Sequence, residues 1–272
     1  MQAAPDPDPS PFGQEGRAPA CLVLHGFTGT PFEVRPVAEA LAAAGYAVRA
    51  PALPGHGTTA DDLQDRRRKE WCDFVEAESE ALAAKNGPIV AMGLSLGALL
   101  ALRLAATRPE LVRGIVCLAP ALRLRAWSEW PLAAMSRWNA APRFGIPKLG
   151  GSDIRDPQMR RRNPGYRTQP LRAAVQLYRL ARDVEKVLGR ISTPILCIHG
   201  ARDHVVPPFA TDEVLRGVAS KDRTRVILPE SAHVLPLDVE KDEVCRVILS
   251  FVGRISGGEA TGDRKQATGN GQ

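Results

Sequence analysis

Apolar positions along the chain gather in short runs separated by polar loops, and two periods alternate. Leu22-Val23-Leu24, Pro88-Ile89-Val90-Ala91-Met92, Leu111 to Ala119, Ile195-Leu196-Cys197-Ile198 and Arg225-Val226-Ile227-Leu228 are short and mostly apolar, with turn or polar residues around them. They read as strands, most of them buried. Ala98 to Thr107, and the set Trp71, Phe74, Val75, Ala81 and Leu82, read instead as helical stretches. Strands alternating with helices predict an α/β domain built on a mostly parallel sheet. After the first strand, Thr30 as N-cap, Pro31 at the first helical position and Glu33 three residues on predict a capping box.

The alternation breaks between residues 121 and 190, which predicts a small helical cap inserted into a core made of residues 18–120 and 191–256. Within it Trp127, Trp130, Ala134 and Trp138 recur at spacings of three, four and four, so they share one helical face. Such a stripe is expected to pack the cap onto the body, with Trp127, Trp130 and Trp138 also able to wall an apolar substrate pocket. Residues 1–17 are rich in Pro and Asp and residues 257–272 in Gly, Thr and polar groups, so both ends are expected to be disordered.

Composition leaves this picture intact. An apolar content of 44% and a charged content of 24% are ordinary for a globular domain, and 272 residues suffice for one large core. No run has the apolar length of a membrane span, and the start of the chain lacks both a basic stretch and a hydrophobic one, so no secretory signal is expected. Five scattered cysteines (Cys21, Cys72, Cys117, Cys197 and Cys245) suggest reduced thiols and a cytoplasmic protein. Residues 121–190 hold 15 Lys plus Arg against 5 Asp plus Glu, although the whole chain carries only +6. That bias admits weak contact with a lipid surface. It equally fits a composition in which arginine outnumbers lysine 29 to 7. No recognition motif accompanies the charge, so nucleic acid is not an expected partner.

The chemistry is concentrated at Gly93-Leu94-Ser95-Leu96-Gly97, a G-x-S-x-G between a predicted strand and a predicted helix. A turn this tight strains Ser95 and presents its hydroxyl at the top of the sheet, and only Gly93 and Gly97 avoid a clash across it. The helix that follows aims its free N–H groups at the serine. Asp203 lies just past the strand 195–198, and His233 just past the strand 225–228. In a parallel sheet these loops converge, in the order serine, acid, histidine expected of such an elbow. Ser95 would attack, His233 would take its proton, and Asp203 would hold the imidazole in its working tautomer. Backbone N–H groups of Phe27, after the first strand, and of Leu96 would bind the oxyanion. Asp212 is a nearby rival to Asp203.

These residues resemble the α/β-hydrolase superfamily, most of all its small bacterial carboxylesterases and monoacylglycerol lipases. The resemblance runs over roughly residues 20 to 255 in four blocks: Leu22 to Gly29; Pro54-Gly55-His56-Gly57; Gly93 to Gly97; and Gly200 to Pro207 paired with Ser231 to Asp238. It implies a mostly parallel sheet wrapped by helices, and ester hydrolysis through an acyl-enzyme without a cofactor. The loop His25-Gly26-Phe27, with its single glycine, implies esters of primary or secondary alcohols. Thioesterase, lactonase or acyltransferase chemistry on the same triad stays open, as does a ligand-binding receptor on the same scaffold.

Four other histidines are assigned non-catalytic roles. His25 and His56 precede glycines and are expected to fix loop shape, His199 to pack at a strand end, and His204 to play no part in the triad. No grouping of His, Cys or acidic residues has metal-ligand spacing.

Overall fold

A computed structural model describes residues 7–138 and 141–257. In chain order the elements are β1 (Phe12–Gln14), β2 (Arg17–Leu24), α1 (Arg35–Ala43), β3 (Tyr46–Ala50), α2 (Ala60–Asp65), α3 (Arg68–Asn86), β4 (Ile89–Leu94), α4 (Leu96–Thr107) and β5 (Val112–Leu118). There follow α5 (Ala126–Trp138), β6 (Gly145–Pro147), α6 (Pro157–Arg162), β7 (Thr168–Pro170), α7 (Leu171–Glu185), β8 (Ile195–Gly200), α8 (Phe209–Gly217), β9 (Arg223–Leu228) and α9 (Lys241–Ile255).

Seven strands form one sheet in the order β1-β3-β2-β4-β5-β8-β9, parallel throughout except for β1 at the edge. The order changes direction between β2 and β4, which is where an open α/β sheet leaves a crevice beyond its carboxyl ends. Register brings the ends of the strands level there: Leu24 lies opposite Gly93, Leu94 opposite Leu118, and Leu118 opposite Ile198. Alternate residues feed two cores, one on each face. Leu22, Leu24 and Ala91 pack with α3, α4 and α7, while Cys21, Val23 and Met92 pack with α1 and α9.

Two expectations change here. Residues 12–14 are ordered rather than part of a disordered arm, because they pair with β3 through Phe12 and Ala50. Asp8 adds an ion pair to Arg35 at 2.9 Å. The tail expected from residue 257 onward falls, apart from Gly257, outside the described residues. The segment 121–190 is not purely helical, since β6 and β7 form an antiparallel ribbon between its helices. Its last helix, α7, buries Ala173, Ala174, Leu177, Leu180 and Val184 in the body.

The tryptophan stripe also differs. Trp127, Trp130 and Trp138 are 75%, 77% and 71% exposed. The arc of α5 opposite them packs through Leu132 and Met135. Periodicity had correctly put the three on one face, but that face points to solvent. They neither pack the cap nor wall an enclosed pocket.

Candidate active site

Among the described residues three that are not glycine have positive φ, and each follows the end of a sheet strand near the crevice: Thr28 (62°) after β2, Ser95 (55°) after β4 and Ala119 (43°) after β5. Backbone strain of this kind persists only where the surroundings over-determine it. At Ser95 they do. A Cβ on Gly93 would lie 2.3 Å from the Gly97 carbonyl carbon, and one on Gly97 would lie 2.4 Å from the Leu24 oxygen. The Ser95 N–H meanwhile donates to Leu118 O at 2.8 Å. The turn is thus clamped from both neighbouring strands.

Ser95 is buried, contrary to the exposed hydroxyl expected from the elbow alone, at 5% exposure. The 121–190 segment closes over this end of the sheet. Tyr166 N–H donates to Thr28 O at 2.8 Å, and the N–H groups of His233 and Val234 both donate to Asp153 O at 3.1 Å.

Asp203 and His233 come together. His233 Nδ1–H donates to Asp203 Oδ2 at 2.7 Å, and Oδ1 accepts the N–H groups of Val205 and Val206, each at 2.8 Å. Gly200 permits this approach, since a Cβ there would meet the carbonyls of Ser231 and Ala232 at 2.3 Å. Burial pushes the Asp203 carboxyl up, but His233 and the hydrogen bonds from His199 and His233 outweigh it and hold the group well below the usual carboxylate range. Burial pushes the His233 imidazole down, and the Asp203 carboxylate more than reverses this, leaving it above its ordinary 6.5. No hydrogen bond joins Ser95 to His233 among the described residues. Bonds between nucleophile and base are commonly loose before substrate binds.

Phe27 N–H makes no hydrogen bond among the described residues, and Leu96 N–H, first in α4, precedes any acceptor in its own helix. Both predicted oxyanion donors are therefore uncommitted.

The other histidines separate cleanly. His25 Nε2 accepts from Leu53 N–H at 3.0 Å while Nδ1 faces Gly26 O at 2.9 Å, and burial pushes the ring down to about 4. His56 Nδ1 faces Pro54 O at 3.2 Å, its ring centroid is 4.9 Å from that of His25, and burial holds it well below the usual range. Both belong to the loop scaffold through these backbone contacts. His204 pairs with Asp153 at the surface, and Asp212 pairs with Arg225 away from His233. His199 is fully buried near the end of β8, as expected, and its ring also contacts Asp203.

The capping box at Thr30 does not form. Its hydroxyl has no partner among the described residues, and the first turn, Pro31–Val34, is a 3-10 helix. Glu33 turns inward, accepting from Gly26 N–H at 3.3 Å and Asn163 Nδ2 at 3.1 Å, and burial pushes its carboxyl up. Lys148, from the segment over the site, donates to the hydroxyl of Thr28, and burial pushes its amine down. Sequence reading also missed the buried Asp238. Oδ1 accepts from the N–H groups of Arg155 (2.8 Å), Asp156 (3.0 Å) and Val239 (2.9 Å), and Oδ2 from Ala232 (2.6 Å). Its place in the block from Ser231 to Asp238 was the available signal. Among the described residues no cluster of three or more His, Cys, Asp or Glu could hold a metal ion.

A parallel sheet bearing a strained serine at its switch point and an acid–histidine pair two strands away defines an α/β-hydrolase. The family model Serine aminopeptidase, S33, matches residues 16–240, and the chain belongs to that family. It is 34% identical over 247 residues to the thermostable monoacylglycerol lipase of Bacillus sp. (strain H-257), covering 91% of this chain and 95% of that one. Against the carboxylesterase of Bacillus subtilis (strain 168) identity is 26% over 249 residues, covering 91% and 97%. A solved structure from the work on LipS and LipT, two metagenome-derived lipolytic enzymes, superposes with a TM-score of 0.84 at 32% identity, covering 92% of this chain and 99% of that one. The chain is a hydrolase of the esterase and lipase type.

Proposed function

We propose that the chain hydrolyses short- to medium-chain acyl esters or monoacylglycerols through an acyl-enzyme on Ser95. The observation that carries this reading is the His233–Asp203 pair, with one free imidazole nitrogen, at the same end of the sheet as a strained serine. His233 Nε2 takes the Ser95 proton as Oγ attacks the ester carbonyl. The Phe27 and Leu96 N–H groups hold the oxyanion, each such donor being worth about 3 kcal/mol in the transition state. The alcohol departs with the proton from His233, and a water activated by the same ring releases the acid. No step calls for a cofactor.

The test is a p-nitrophenyl ester series from acetyl to palmitoyl, run on the wild type and on Ser95→Ala. Turnover on the shorter esters that vanishes in the variant is expected. Turnover that survives in a folded Ser95→Ala protein overturns the reading.

Two settings go with this function. The outward face of α5 carries Trp127, Trp130 and Trp138 on a segment rich in arginine, which supports weak contact with a lipid surface from which amphiphilic esters are drawn. All five cysteines are free and four are buried, which supports a cytoplasmic location. Among the described residues no helix is long and apolar enough to cross a membrane.

A further inference from the structure

We infer that His199 is a positioning residue for the catalytic pair: its Nε2–H shares Asp203 Oδ2 with His233 and sets how strongly that carboxylate holds the His233 imidazole. The inference rests on the triad reading above and adds a residue to which that reading gives no role.

His199 is the penultimate residue of β8 and has no exposed surface. Its Nε2 lies 3.2 Å from Asp203 Oδ2 and 3.2 Å from Val206 O. A carboxylate and a carbonyl can only accept, so Nε2 carries a proton. On the other side Nδ1 lies 2.7 Å from the hydroxyl of Thr211, a fully buried residue of α8. That hydroxyl has no other partner among the described residues, so its O–H donates to Nδ1. One neutral tautomer satisfies every polar atom, and α8 fixes it.

Asp203 consequently has four polar neighbours: the Val205 and Val206 N–H groups donate to Oδ1, His233 donates to Oδ2, and His199 Nε2–H stands 3.2 Å from Oδ2 between it and Val206 O. The carboxylate plane is held on both edges, which aims Oδ2 at His233. The second donor on Oδ2 also disperses the charge that attracts the His233 proton. The other charged groups facing the pair act differently. Asp153 and Glu33 raise the affinity of His233 for its proton from outside the hydrogen-bonded chain. His204 is paired with Asp153, Lys148 faces Glu33, and Arg125 reaches only the backbone oxygen of Asp203. His233 and His199 are therefore the two side chains whose ring nitrogens meet the carboxylate among the described residues, at 2.7 and 3.2 Å.

The test uses the pH dependence of kcat/KM for His199→Phe, His199→Gln and Thr211→Val on a p-nitrophenyl ester. Removing the donor concentrates charge on Oδ2 and strengthens its hold on protonated His233. The acid limb of His199→Phe should therefore move upward by about half to one pH unit. The far-downfield Nδ1 proton of His233 should shift with it. Gln can place an N–H where Nε2 stood, so His199→Gln should keep the wild-type limb. Thr211→Val should move it in the Phe direction by less. A purely structural histidine would lower activity without moving the limb, so a folded His199→Phe with the wild-type limb overturns the inference. If that variant does not fold, an unmoved limb in Thr211→Val does the same. Ser95→Ala, assayed alongside, reports separately on the triad itself.

Discussion

Gly97 packs its α-carbon against the carbonyl of Leu24, so that the nucleophile turn and the end of β2 occupy one steric unit. A Cβ at this position would lie 2.4 Å from Leu24 O, a backbone atom that cannot rotate away. Gly97→Ala must displace either β2, which leads into the Phe27 loop, or the elbow that holds Ser95. Overpacking of this kind costs about 1–3 kcal/mol. Since both displaced parts belong to the proposed site, activity should fall about 100-fold or more, beyond the stability loss. A melting curve run beside a p-nitrophenyl butyrate assay separates the two, and full activity in Gly97→Ala would show that the turn does not need this clearance.

The pH dependence has a defined sign. His233 sits above its ordinary 6.5 because the Asp203 carboxylate favours its charged form. Only the neutral ring can accept the Ser95 proton, so kcat/KM should rise with pH through a midpoint above 6.5. Asp203→Asn removes the stabilising charge and leaves an amide opposite Nδ1. Its residual activity should be lower by about 10⁴-fold with the midpoint moved down. A midpoint at or below 6.5 in the wild type would contradict the ordering of these two groups.

Asp238 offers a test of how the segment over the site is tied to the catalytic loop. Its carboxylate accepts the N–H groups of Arg155 and Asp156 from one and of Ala232 from the other. Asp238→Ala orphans these buried donors together with Val239 N–H. A loss of about 2–4 kcal/mol is expected in urea unfolding, with kcat reduced because His233 follows Ala232 directly. A change within about 0.5 kcal/mol would mean that water replaces the carboxylate at no cost.

Much of this arrangement was legible in the sequence because it rests on local rules. β2, β4, β5 and β8 are mostly apolar where they cross the sheet, so their runs stood out, and the elbow, Asp203 and His233 each follow a strand end. The omissions share a different cause. β1, β6 and β7 are three residues each and largely solvent-facing, so they carry no periodic signal. Glu33 occupies the capping-box position, yet its partners are Gly26 and, 130 residues away, Asn163. His199 is surrounded in sequence by apolar residues, and the hydroxyl that fixes its tautomer comes from a neighbouring helix. Spacing along one helix defined the tryptophan face but could not say which way it points.

That face supplies the last prediction. Trp127, Trp130 and Trp138 lie on the arc of α5 opposite Leu132 and Met135, and all three are mostly exposed. Arg137, on the same helix, is exposed and forms no ion pair with the other described residues. Tryptophan settles at the boundary between headgroups and acyl chains, while arginine favours an anionic surface. The wild type should therefore co-sediment with vesicles of anionic lipid more than with zwitterionic ones, and less as salt is raised. Trp127→Ser, Trp130→Ser and Trp138→Ser combined should abolish that binding and slow hydrolysis of vesicle-borne monoacylglycerol several-fold. Hydrolysis of dissolved p-nitrophenyl acetate should be unchanged, because none of the three side chains belongs to the proposed triad or oxyanion site. Equal sedimentation of the wild type and the triple variant would remove the lipid surface as the partner of this face. A concentration-dependent dimer lost in the variant would assign the face to a second copy of the chain instead.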